Sequence, residues 1–175
     1  MVQTTDTELL DIVDADDRVT GAATRGEIHA RGLMHRSVHV LVFNSAGCVL
    51  LQKRSMQKDQ FGGMWDSSCA GHVESGHSYE ETAPRELHEE LGFLPAESLK
   101  VLFKMQPCAD NGHEFGMVYA INYEGPFTAA EDEIDELRWY TFEQIDEWIK
   151  NPADNTESLS GGFVEIWSRY REENA

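Results

Sequence analysis

The chain is short of positive charge, of cysteine and of long apolar runs. Fourteen Lys and Arg stand against thirty-two Asp and Glu in 175 residues, a formal net charge of -18. Sequence-independent binding of nucleic acid depends on neutralising phosphates, so this acidic excess argues against it and against a polybasic contact with a membrane. A phosphorylated small molecule would need a metal ion as a bridge. No apolar stretch approaches the ~20 residues that a membrane-spanning helix requires, and no apolar signal-type region follows Met1. Cys48, Cys69 and Cys108 make an odd set without paired spacing, which reads as reduced thiols of a cytoplasmic protein. Repeats, low-complexity tracts and linkers are also missing, so a single domain over residues 1–175 is expected. Nothing in the composition bears against a homodimer.

What is present is a series of short strand and helix signals. "ELLDIVDADDRVTGAAT" reads as two strands around Ala15-Asp16-Asp17, and "TRGEIHARG" as a helix opened by Thr24 with Glu27 three later and stopped by Gly32. Together they make an N-terminal hairpin and short helix over about 8–32. Residues 37–43 and 48–54 read as a hairpin joined by Asn44-Ser45-Ala46-Gly47, and a short strand is expected at 65–69. Residues 71–77 are loop-like, then Ser78 with Glu81 opens a helix that Gly92 ends and that Pro84 should kink. Strands follow near 99–106, 115–123 and 137–140, the first two separated by Asp110-Asn111-Gly112. Two helices, 142–150 behind Thr141 and 163–171, close the chain. The order suggests a mixed sheet covered by helices.

The stretch "AGHVESGHSYEETAPRELHEELGF" crowds six glutamates and three histidines into residues 70–93. On the helix it contains, Glu86, Glu89 and Glu90 stand at i, i+3 and i+4, within one turn of one another. Leu87 and Leu91 form the apolar stripe, so the carboxylates are expected to look outward from it. A solvated acidic face explains such a cluster, and so does a site for hard divalent cations such as Mg²⁺ or Mn²⁺, which cancel the repulsion.

From Gly71 through His77 and Arg85-Glu86-Leu87 to Glu89-Glu90-Leu91-Gly92, residues 71–93 resemble the Nudix box: a glycine, five residues, Glu, seven residues, then R-E-apolar-x-E-E-x-G. One fixed position differs, His77 standing where the family has Glu. The resemblance implies a Nudix-type α/β/α sandwich with a mixed β-sheet and a loop-helix-loop catalytic motif. It also implies metal-dependent hydrolysis of a diphosphate joined to another group. Gly71, Glu86, Glu89 and Glu90 match metal-binding positions, and Arg85 matches an orienting arginine that ion-pairs within the motif. Glu74, Glu80 and Glu81 are candidates to supply the charge that His77 lacks. Glu133, or Glu131 beside it, falls where many members keep a loop carboxylate that acts as base.

Beyond the box, "HRSVHVLVFN", "LLQKRS", "FGGMWDSSCAGH" and "NGHEF" resemble the branch containing isopentenyl-diphosphate isomerase and its hydrolase-like relatives. In that comparison His35, His72 and Glu114 fall on metal ligands, Gly112 replaces an acidic ligand, and His29 lies one residue out of step. Arg54 and Lys58 match basic residues that bind diphosphate. The isomerases' reactive cysteine is Ala70 here, and Cys69, its neighbour on the strand, should point to the opposite face. His35 and His39 share a face but lie ~13 Å apart along a strand, so one metal cannot take both. Phe61, Trp65 and Trp139 read as core. The expectation is a Mg²⁺- or Mn²⁺-dependent hydrolase of a small-molecule diphosphate. A prenyl-diphosphate isomerase and a weakly catalytic phosphate-binding module are the alternatives.

Overall fold

The computed structural model describes residues 7–175, so of the expected domain only residues 1–6 lie outside it. In chain order the elements are β1 (Leu9–Val13), β2 (Val19–Thr24), α1 (Arg25–Arg31), β3 (His35–Phe43), β4 (Cys48–Arg54), β5 (Trp65–Asp66), β6 (Cys69–His72), α2 (Tyr79–Leu91), β7 (Lys100–Met105), β8 (Glu114–Asn122), β9 (Ile134–Thr141), α3 (Phe142–Lys150) and α4 (Gly161–Glu173). Thr24, Ser78 and Thr141 each accept a bond from the third helical N–H, and Glu27, Glu81 and Gln144 reach back to the cap, so all three capping boxes form. Helix α4 begins two residues before the expected 163, capped by Ser160, whose hydroxyl accepts from the Phe163 N–H at 3.1 Å. Gly161 and Gly162 are poor helix formers, which conceals this first turn in the sequence. Helix α2 runs through Pro84 without interruption. The carbonyl that loses its partner belongs to exposed Glu80, where water can replace the bond.

Strand β3 has two edges, and both are occupied. Strand β8 runs parallel to it from His35↔Glu114 to Phe43↔Asn122, while β6 runs antiparallel on the other edge from Ser37↔His72 to Val40↔Cys69. Strand β4 therefore pairs with β3 only at Phe43↔Val49, and the two strands splay apart beyond the turn. The expected hairpin survives at its closed end alone. Strand β4 is satisfied instead by β9 and β5, both antiparallel to it. The strand expected at 65–69 divides for the same reason: β5 pairs with β4, then the chain crosses to pair with β3 as β6. Ser68 makes the crossing, its hydroxyl donating to the Leu50 carbonyl and accepting from the Val42 N–H at 2.8 Å.

Side-chain alternation sorts the core into two layers. Val38, Val40 and Val42 pack with Tyr119, Ala83, Leu87 and Leu91, against α2. Leu41, Val49, Leu51 and Val118 pack with Ile145, Trp148, Phe163, Ile166 and Trp167, against α3 and α4. The result is the expected α/β/α sandwich with a mixed sheet.

The N-terminal hairpin β1–β2 forms a separate two-stranded sheet locked onto this body by one aspartate. Asp17, in its turn at φ 59°, accepts from Arg36 Nε on β3 at 2.6 Å, from the Tyr79 hydroxyl on α2 at 2.9 Å, and from Lys104 on β7. Strand β1 also bridges the loop before α2 at Leu10↔Glu74, and Ser75 Oγ donates to Asp11 Oδ1 at 2.6 Å. Asn tolerates the left-handed conformation but not the charge pairing, so Asp17→Asn should lower stability by about 1.5–3 kcal/mol in urea denaturation. An unchanged midpoint would show that the hairpin is held by other contacts.

Candidate active site

The splay between β3 and β4 leaves a cleft of about 570 Å³. Glu86, Glu89 and Glu90 of α2 line it, together with Ala70, Gly71 and His72 of β6, Arg54 and Lys58, Glu114 of β8, and Glu133 ahead of β9. The residues singled out from sequence thus converge from five segments of the chain, His35 joining them through Glu114.

Of the three glutamates only Glu89 looks outward as expected. Glu86 is 8% and Glu90 6% exposed, while Glu89 keeps 53% of its side-chain surface in solvent. Glu90 Oε2 accepts from Gln52 Nε2 at 2.9 Å and from the Ala70 N–H at 3.3 Å, which ties the carboxylate across the mouth of the splay. Glu86 packs against Gly71, where an added Cβ would land inside its carboxylate, so position 71 must lack a side chain. Burial, then the adjacent Glu90 charge, pushes the Glu86 carboxyl up to about 8. Burial likewise raises Glu90 despite its hydrogen bonds. Arg85 offsets part of this charge, with Nη2 3.0 Å from Glu86 Oε1 and Nη1 3.7 Å from Glu89 Oε1. Two buried carboxylates short of counter-charge are what a hard divalent cation relieves.

A second group of ligand atoms stands at the other end of β6. Ligand atoms of His29, His35, His72 and Glu114 all lie within 4.8 Å of one another. His72 Nε2 is 3.1 Å and His35 Nε2 3.3 Å from Glu114 Oε1. His35 Nδ1 lies 2.9 Å from the Leu33 carbonyl, which accepts its proton and leaves Nε2 as the lone-pair atom facing the cluster. Both ring nitrogens of His29 are buried without a partner, and burial, followed by the charge of His72, pushes this imidazole down to about 4. It is therefore neutral and able to donate a lone pair. Burial alone would raise Glu114, but the neighbouring His35 and His72 imidazoles, which donate to it when they are protonated, outweigh burial and hold the carboxyl well below the ordinary range. Three imidazoles and one carboxylate suit a divalent transition metal or Mn²⁺.

Counting along the chain put His29 out of step, but its placement is set by a helix. Gly32 ends α1 in the left-handed conformation at φ 61°, and this turn brings the His29 ring to 5.2 Å from that of His35. His39 stays outside the cluster, as strand spacing requires, and bonds Ser67 Oγ at 2.8 Å.

The position that breaks the motif is bypassed. The His77 side chain is exposed, and the residue contributes a backbone bond to Glu74. It is Glu74 that ion-pairs with Arg85, while Glu81 is spent on the Ser78 cap and Glu80 faces solvent. The sequence put Glu74, Glu80 and Glu81 forward together; what it missed is the bridge to β1 that sets Glu74 apart. Glu8, beside β1, was also missed; it lines the cleft, and burial raises its carboxyl. Glu133 pairs with Lys58 across the cleft, whereas Glu131 is exposed. Arg54 Nε donates to the Gln60 carbonyl at 3.2 Å. Ala70 lines the cleft beside His39, and Cys69 turns into the α2 layer, where burial, then Glu90, pushes its thiol well above the ordinary range. Trp65 is core and Trp139 half-buried against it, but Phe61 sits on the cleft wall at φ 55° and 38% exposure, so it is not core.

The family model for the NUDIX domain matches residues 33–160. Isopentenyl-diphosphate Delta-isomerase of Serratia proteamaculans is 32% identical over 173 residues, covering 93% of this chain and 97% of that one. The uncharacterized Nudix hydrolase YfcD of Escherichia coli is 34% identical over 142 residues, 79% of this chain and 77% of its own. Among solved structures, DR0079 from Deinococcus radiodurans superposes with a TM-score of 0.81 at 29% identity, covering 93% of this chain and 98% of the other.

Glu74 engages Arg85 Nη1 while Nη2 rests on Glu86, so Glu74→Gln releases Nη1 towards Glu89 and lets the guanidinium compete with a cation for the glutamates. Mn²⁺ affinity, followed by electron paramagnetic resonance, should fall about 10–100-fold. His77→Glu should leave it within about twofold. A large gain in affinity from His77→Glu would return the role to position 77.

Proposed function

The chain belongs to the Nudix family, in the branch that holds isopentenyl-diphosphate isomerase and its hydrolase-like relatives, and from this we propose a Mg²⁺- or Mn²⁺-dependent hydrolase. Its substrate is a nucleoside diphosphate derivative or another organic diphosphate. The observation that carries the proposal is that Glu86, Glu89 and Glu90 meet in one cleft whose β6 wall presents Ala70. The donor set fits divalent cations: Glu86 and Glu90 are short of counter-charge, and His29 offers two buried nitrogens without partners. Held by these residues, such cations would offset the charge that develops on the phosphate and make water more acidic.

The chain's own groups do the rest. Glu86, Glu89 and Glu90 hold the cation side of the cleft, and Arg85, restrained by Glu74, orients Glu86. His35, His72, Glu114 and His29 form a further ligand set beside them. Arg54 and Lys58 face the same space and take the diphosphate's remaining charge. Lys58 is paired with Glu133 at rest. As the diphosphate draws Lys58 away, Glu133 is freed to accept the proton of the attacking water while the phosphorus–oxygen bond to the leaving group breaks. With a net charge of -18, the partner is a small molecule rather than nucleic acid or a membrane.

The 32% identity to the Serratia isomerase favours a second reading, isomerisation of a prenyl diphosphate. That chemistry needs a proton donor at the β6 wall. Ala70 supplies none, and the Cys69 thiol is fully buried under α2 against Glu90, which together with burial holds it protonated and out of the cleft.

Release of phosphate or nucleotide across a panel of organic diphosphates tests the proposal. With Mg²⁺ at least one should be hydrolysed, Glu89→Gln and Glu90→Gln should each lower turnover by at least ~10²-fold, and isopentenyl diphosphate should give no allylic isomer. Allylic product, or near-normal rates in both variants at saturating Mg²⁺, would refute it.

A further inference from the structure

Beside Glu114, the cleft continues into a small hollow, walled also by Met105 and Ile166, where the β3–β8 face meets the start of α4. Gly116 is its floor: an added Cβ there would lie 3.4 Å from both Ser37 Oγ and His39 Cδ2, so the missing side chain is what leaves the space. Gly162, in the first turn of α4, faces open space on the opposite side. Ser37, His39 and Gly162 line the cleft and the hollow alike.

Two groups in the hollow are set up to bind something. The Ser37 hydroxyl is buried, the residue being 2% exposed, and has no hydrogen-bond partner. His39 is oriented by a chain of bonds: Asp66 Oδ1 accepts from the Ser67 N–H at 2.7 Å and from the Ser67 hydroxyl at 3.2 Å. With its proton committed to Asp66, Ser67 Oγ accepts from His39 Nδ1 at 2.8 Å. This fixes the tautomer, and His39 Nε2, next to the Cδ2 that overlooks Gly116, carries a lone pair.

We propose that this hollow is a subsite for a hydroxyl of the substrate's non-phosphate group, which donates to His39 Nε2 and accepts from Ser37 Oγ. The substrate is then a diphosphate of a sugar-bearing molecule, not of a hydrocarbon alcohol. The inference rests on the hydrolase reading above and specifies its substrate. The wider cleft agrees, since Phe61, Ala70 and Ala130 are the apolar side chains that line it. A hydrocarbon in the hollow would leave Ser37 unpaired and strip water from His39, a penalty that a hydroxyl avoids.

The test is calorimetric binding of uridine diphosphate, its 2′,3′-dideoxy counterpart and isopentenyl diphosphate to the wild-type protein and to Ser37→Ala and His39→Phe, with Ca²⁺ replacing Mg²⁺ to hold back turnover. The wild type should bind uridine diphosphate at least tenfold tighter than the other two. Each variant should erase that difference by weakening uridine diphosphate alone. Equal affinities in the wild type, variants that weaken all three ligands alike, or binding of none would overturn the subsite. Selective binding of uridine diphosphate, with no member of the organic diphosphate panel hydrolysed once Mg²⁺ is restored, would leave the subsite standing and refute the hydrolase.

Discussion

A strand has two edges, and in this fold both edges of β3 are taken before β4 can use them. Strand β8 runs along one for the full length of β3 and β6 holds the other, so the β3–β4 turn opens into a fork with a cleft between its arms. The glutamates of α2, the β6 wall, Arg54, Lys58 and Glu114 all face that opening. Helix α2 lies across it, which buries Glu86 and Glu90, and the crossing from β5 to β6 brings Gly71 and His72 to its wall. Had β4 zipped fully onto β3, the same residues would have no common space to share.

Burial makes the site expensive to hold as bare protein. Glu86 and Glu90 sit where the low dielectric disfavours their charge, and His29 lies among groups that discourage its protonation. The chain offsets these costs with restraint from outside the sheet. Asp17 locks the N-terminal hairpin to β3, α2 and β7, the hairpin's first strand pins the loop at Glu74, and Glu74 holds Arg85 beside Glu86. A segment that precedes the part matched by the family model is thus coupled to the glutamate motif of α2 by hydrogen bonds, and α1 supplies His29 to the histidine cluster.

Much of this was legible in the sequence because it is local. Three capping boxes fixed helix starts, the Arg85 to Gly92 spacing marked the acidic cluster, and the period of strand β3 excluded His39 from a site containing His35. What was not legible depends on tertiary geometry. The inward burial of Glu86 required knowing that Gly71 would lie against it, and the role of Glu74 required a bridge to β1 more than sixty residues earlier. His29 looked misplaced because linear counting ignores the rotation of α1, and the division of the expected 65–69 strand reflects competition between β3 and β4 for partners. The first turn of α4 was hidden by two glycines that its Ser160 cap compensates.

The central claim is that the cleft holds divalent cations on its glutamates and on its histidine cluster. Anomalous diffraction from crystals equilibrated with Mn²⁺ tests it most directly. The account predicts a peak beside Glu86 and Glu90 and another among His29, His35, His72 and Glu114. Crystals whose glutamate side of the cleft shows no peak, at Mn²⁺ concentrations that support hydrolysis in solution, would contradict it.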